Sequence, residues 1–129
     1  MAAPVTAPSN RLVVVVDDDE SVRRALPDLL GALAVEATTF ASAQEFLDSG
    51  LVAQTRCLIL DVAMPGMSGP ELQQELARRG HSLPIIFISG RTDDAMRERH
   101  IGRGAVDYLI KPFSYEQLRA ALEQALGDL

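Results

Sequence analysis

The sequence predicts an α/β protein: a doubly wound sheet of five parallel strands with helices on both faces. Two observations carry this. Short apolar runs alternate about five times with amphipathic helical stretches, and alternation over short links implies parallel strands joined by right-handed crossovers. The clearest runs, 12–16, 57–60 and 84–88, are apolar throughout rather than at every second residue, as expected of strands covered on both faces.

At 129 residues the chain is long enough for one domain with a core and too short for two. Residues 1–10 are rich in Ala, Pro, Ser and Thr and read as a flexible tail; 11–129 read as the domain. No positive start followed by an apolar stretch marks the N-terminus as a secretory signal. No run reaches membrane-spanning length. A cytoplasmic protein without membrane contact is the expectation. The net charge of −6 argues against direct binding of nucleic acid, which needs a basic face. The single cysteine, Cys57, excludes an internal disulfide and lies in an apolar run, where it reads as a small buried group.

Taken in order, the first run is mostly β-branched and ends in Asp17-Asp18-Asp19-Glu20. The last of these acids are favourable at the start of a helix, whose N-terminus attracts negative charge. Val22, Ala25, Leu26, Leu29, Leu30 and Leu33 recur at helical spacing. Pro27 removes one hydrogen bond from that helix without outweighing its apolar stripe. A short strand at 35–40 follows. Ser42 and Glu45 then have capping-box spacing and open a short helix to about Gly50.

The third strand ends on Asp61, and Pro65, Gly66 and Gly69 break the chain after it. Pro70 marks a helix start and Gly80 its stop. The fourth strand, 84–88, runs into Ser89-Gly90. A charged, glycine-containing helix is expected at 92–102, with Met96 and Ile101 its main apolar residues. The fifth strand, 106–110, runs into Lys111-Pro112-Phe113. Ser114 and Gln117 then cap a last helix with Leu118, Ala121, Leu122 and Ala125 on its inner side.

In an open parallel sheet the carboxyl ends of the strands share one edge, where such folds keep their chemistry. Asp17, Asp18, Asp61, Ser89 and Lys111 all fall there. Singly, each reads as a cap, a turn residue or a solvated charge. Together they combine a hard-cation site with an anion site. Clustered carboxylates are unfavourable without a cation. Mg²⁺, which takes oxygen ligands and keeps several waters, fits best. Asp18 and Asp61 would bind it directly, Asp17 through a water, and the Ala63 main-chain carbonyl would be another ligand. Ser89 and Lys111 can pair with phosphoryl oxygens, and a carboxylate nucleophile would form an acyl phosphate.

The segments VVVVDDDES, LILDVAMPGMSG, PIIFISG and GAVDYLIKPF closely resemble, in order, those of the receiver domain of two-component response regulators, the CheY-like family. The resemblance covers about residues 12–126. It implies a flavodoxin-like sheet in the order 2-1-3-4-5 and a cis bond between Lys111 and Pro112. It also implies that Asp61 takes a phosphoryl group from a sensor histidine kinase or phosphotransfer protein. Asp17 and Asp18 match the family's acidic pair at the Mg²⁺ pocket, Ser89 its switch hydroxyl and Lys111 its phosphate lysine. Tyr108 matches its aromatic switch residue, expected to rotate inward as Ser89 moves toward the phosphoryl group. The face of the fourth helix, last strand and last helix would then change shape, and a homodimer through that face is an expectation. Arg91 lies where the family tunes the lifetime of the phosphoryl group.

The wording of these segments is most similar to the nitrogen-fixation-regulator subgroup, whose members often carry a C-terminal helix-turn-helix output domain. The chain is then either a piece of such a regulator or a stand-alone receiver. Such a receiver accepts a phosphoryl group and slowly loses it but turns over no other substrate.

Two other readings compete. Asp17 and Asp19 also fit the Asp-x-Asp signature of haloacid-dehalogenase-type phosphatases, as nucleophile and acid/base, but this leaves Asp61 and its loop without a role. The fold can also serve as a phosphorylation-independent adaptor.

Overall fold

The computed structural model describes residues 11–90, 99 and 104–127. Five parallel strands, β1 (Leu12–Val16), β2 (Glu36–Phe40), β3 (Cys57–Asp61), β4 (Ile85–Ser89) and β5 (Asp107–Ile110), form one sheet in the order 2-1-3-4-5. The helices are α1 (Glu20–Ala32), α2 (Ala43–Asp48), α3 (Gly69–Arg78) and a C-terminal helix (Tyr115–Leu126), with a 3-10 turn at Val52–Gln54. The helix expected at 92–102 lies outside the described residues except for Arg99, which is helical and exposed. The expected tail at 1–10 and Arg91 also lie outside them.

Strand alternation divides the core in two. Val14, Val16, Leu58, Leu60 and Phe87 pack on one face with Phe46 of α2 and Leu72 and Leu76 of α3. Val13, Val15, Ile59, Ile86 and Ile88 pack on the other with Leu26 and Leu30 of α1 and Leu118 and Leu122 of the C-terminal helix. Every residue of β1, β3 and β4 is buried, which is why these segments read as unbroken apolar runs.

The helix starts follow local chemistry. Asp19 is the N-cap of α1, its carboxylate accepting from Ser21 N at 2.9 Å. α1 continues through Pro27, so the apolar stripe outweighs the lost hydrogen bond. Ser114 and Gln117 make the reciprocal capping box of the C-terminal helix. At α2, Ser42 accepts from Glu45 N at 3.1 Å, but Glu45 does not reach back to its cap residue. Its carboxylate accepts from Ala41 N, one residue earlier, at 3.3 Å.

Cys57 is fully buried, and burial pushes its thiol up to about 12. A thiol held so far above the usual range supplies no thiolate. The folded protein should therefore resist a thiol-labelling reagent at mildly alkaline pH and react only in denaturant. Rapid labelling of folded protein would contradict this placement.

Candidate functional site: an acidic cluster bridged by a lysine

The sheet brings four of the sequence-predicted residues into contact. Asp17 continues β1, its N–H donating to the Phe40 carbonyl at 3.1 Å. It follows Val13 and Val15 in alternation and so faces the α1 side; Asp61 follows Cys57 and Ile59 in the same way. β1 and β3 are neighbours, with Val16 opposite Leu60, so the two carboxylates meet at one rim. Oxygens of Asp17, Asp18 and Asp61 all lie within 4.8 Å of one another. Asp17 and Asp61 are buried and Asp18 is exposed, so the cluster has one open side.

Lys111 bridges the two buried carboxylates. Its ammonium is 2.8 Å from Asp17 Oδ2 and 3.4 Å from Asp61 Oδ1. Asp17 Oδ2 has no aligned hydrogen bond, so the lysine serves it as an ion-pair partner. Asp17 Oδ1 accepts from Asp19 N at 2.9 Å. The Asp17 carbonyl accepts from Arg23 Nη1 at 2.8 Å, a contact for which the sequence carries no signal.

The charges shift one another. Burial, then the negative charge of Asp17, pushes the Asp61 carboxyl up from 3.8 to about 6; Lys111 opposes this and Asp18 adds to it. Burial pulls the Lys111 pKa down, but the close contact and charge of Asp17 and the charge of Asp61 outweigh it and leave it raised. With all groups ionised, three carboxylates and one ammonium leave two uncompensated negative charges. An all-oxygen donor set with that surplus and an open side suits a hard dication such as Mg²⁺.

Ser89 closes β4, buried at 3 % exposure, one residue past Ile88, which is the register partner of Asp61. Its carbonyl accepts from Lys111 N at 2.7 Å. Ala63 lies exposed two residues past Asp61. The Lys111–Pro112 bond is cis. Tyr108 is 1 % exposed and packs in the α2–α3 side of the core, so its ring lies inward in this conformation.

Two features were missed in the sequence. Ser68 and Glu71 form a capping box at α3; the Ser-x-x-Glu spacing was present, but Pro70 drew the reading of that helix start. Gly69 N donates to the Val62 carbonyl at 3.0 Å and seats α3 against the end of β3.

The family model described as "Response regulator receiver domain" matches residues 13–123. Nodulation protein W of Bradyrhizobium diazoefficiens is 44% identical over 119 residues, covering 92% of this chain and 52% of that protein. Transcriptional regulatory protein FixJ of Azorhizobium caulinodans is 38% identical over 120 residues, covering 93% and 57%. A crystal structure of a response regulator receiver protein from Burkholderia phymatum superposes with a TM-score of 0.79 at 43% identity, covering 92% of this chain and 96% of that one. The chain thus spans about half the length of the curated relatives it matches. A family match across most of the chain and the shared sheet order agree: the protein belongs to the response regulator receiver domain family.

Proposed function

We propose that residues 11–129 are a receiver unit in which Asp61 accepts a phosphoryl group from the phosphohistidine of a sensor histidine kinase or phosphotransfer protein. The observation that carries this is the single rim where Asp17, Asp18 and Asp61 cluster and Lys111 touches two of them. An Asp61 oxygen attacks phosphorus, the P–N bond to the donor imidazole breaks, and the acyl phosphate remains on Asp61. Asp61 suits the role because it is ionised above about pH 6 yet bordered by the open side of the cluster. Lys111 neutralises charge on the transferred group and Ser89 donates a hydrogen bond to it.

Asp18, Asp61 and the Ala63 carbonyl would hold Mg²⁺ directly and Asp17 through a water. The ion supplies charge neutralisation for the incoming phosphoryl oxygens. The added charge at Asp61 pulls on Ser89 and Lys111. The packing around Tyr108 then shifts the face that includes β5 and the C-terminal helix, which would control an output domain, a partner or a second copy. Arg91 is assigned to tuning the lifetime of the modification.

An apolar groove of about 530 Å³ opens beside Lys111 between Val22, Leu26 and Leu29 of α1 and Phe113. This supports a protein donor docking next to Asp61. No helix among the described residues is long and apolar enough to cross a membrane, in keeping with a cytoplasmic site of action. The phosphatase alternative fits less well. Asp19, its acid/base, caps α1, and hydrogen bonds from the Ser21 hydroxyl and N–H hold its carboxyl below the usual range. Such a group is a poor proton donor near neutrality.

Mass spectrometry after treatment with acetyl phosphate and Mg²⁺ tests the reading. The expected result is one added phosphoryl group, on the peptide holding Asp61, absent when a chelator replaces Mg²⁺. Addition at Asp17 would favour the phosphatase chemistry, and no addition would favour an adaptor.

A further inference from the structure

Gly69 is the first residue of α3 and is buried. Its φ lies outside the left-handed region, so backbone conformation alone does not require glycine. Space does. A Cβ at this position would collide with the carbonyl oxygen of Asp61 and lie 3.1 Å from both Asp61 C and Val62 Cα. These are main-chain atoms, so no side-chain rotation relieves the clash; either α3 or the end of β3 must move.

Both sides of this contact are held. The Ser68–Glu71 capping box fixes the start of α3, and fully buried Leu72 and nearly buried Leu76 anchor the helix in the core. On the other side, Val62 N donates to the Ile88 carbonyl at 3.1 Å, and the Val62 carbonyl accepts from Gly69 N. The loop 62–68, which carries Ala63, is thereby closed at its base. The first turn of α3 rests on the peptide unit that follows Asp61, and the placement of that unit sets where the Asp61 carboxylate points.

We propose that Gly69 is a positioning residue for the Asp61 carboxylate: lacking a side chain, it lets α3 seat on the Asp61 carbonyl and hold the carboxylate within reach of Asp17, Asp18 and Lys111. This rests on the reading of Asp61 as phosphoacceptor, and it adds the element that aims it. A shift of about 1 Å at a reacting group can reduce a rate ~10²-fold, and removing the clash needs a displacement of that order.

The test compares the full chain with Gly69→Ala, and with Leu76→Ala as a control that loosens the same helix away from the site. Folding is followed by circular dichroism, Mg²⁺ affinity by titration, and phosphorylation by the initial rate with acetyl phosphate. Gly69→Ala is expected to bind Mg²⁺ several-fold more weakly and to phosphorylate about 10–100-fold more slowly per folded molecule. Leu76→Ala should lose stability and keep both site properties. Wild-type affinity and rate in Gly69→Ala would overturn the proposal. If Gly69→Ala does not fold, Ser68→Ala takes its place. It removes the cap without a clash and should weaken Mg²⁺ binding and slow phosphorylation a few-fold; unchanged values would overturn the proposal equally. Failure of the phosphoacceptor reading looks different: the wild type itself would gain no phosphoryl group on Asp61, while the Mg²⁺ titrations would still report on positioning.

Discussion

Asp61→Asn should abolish phosphoryl acceptance and, in Mg²⁺-free buffer at neutral pH, make the protein more stable. The first effect follows from removing the nucleophilic oxygen. The second follows from linkage. The Asp61 carboxyl ionises at about 6 in the fold and at 3.8 in an unperturbed chain. Between those values the folded chain holds a proton that the unfolded chain has released. Stability therefore falls as pH rises through that window, and the deficit is complete above about pH 6. Two pKa units correspond to at most ~3 kcal/mol, or roughly 10 °C in melting temperature for a domain of this size.

Asparagine never ionises, so the variant lacks this slope. Melting curves across the range should nearly coincide near pH 4 and separate toward pH 7. Saturating Mg²⁺ should stabilise the wild type and close much of the gap, because it binds the folded carboxylates. Parallel pH profiles for the two proteins would refute the account of Asp61. A variant that still gains a phosphoryl group would refute its assignment as acceptor.

Lys111→Met should have the opposite effect on stability. Asp17 is wholly buried, and its Oδ2 faces the Lys111 ammonium. Removing one partner of a buried pair strands the other charge, at ~3–5 kcal/mol. The Lys111 side chain keeps 23% exposure, which places the expected loss near the lower end, about 3 kcal/mol. The variant's site carries one more uncompensated negative charge, so Mg²⁺ should bind it more tightly and restore part of the loss. Phosphoryl acceptance should still drop by about two orders of magnitude, because removing one preorganised charge-stabilising donor has effects of that size. Urea denaturation with and without Mg²⁺ reads the first two effects. A midpoint shift equivalent to less than ~0.5 kcal/mol, the range of an ordinary surface substitution, would show that Lys111 is not the partner of Asp17.

The meeting of Asp17, Asp18, Asp61 and Lys111 could be read in the chain because each follows directly from an apolar run. A buried parallel strand announces itself, and its last residue can land only on one rim. Sheet order was not legible from periodicity and came from the resemblance. What remained hidden needs three dimensions or competes locally. Glu45 has the spacing of a capping box, yet its carboxylate lies nearer the Ala41 N–H. Gly69 looks like an ordinary loop glycine until its neighbour proves to be the Asp61 carbonyl. Tyr108 shares its core with Phe87, its register partner on β4, a neighbour that no linear pattern records.

Lys111 and Ser89 approach the acceptor from opposite surfaces of the sheet, since Ser89 alternates with Phe87 and Lys111 with Leu109. Yet their backbones are riveted together by the Lys111 N–H on the Ser89 carbonyl. A tug on either side chain is thus a load on both strands. Movement on the α1 side of the sheet edge is therefore coupled to movement on the α3 side through the β4–β5 ladder, which this hydrogen bond extends past the strand ends.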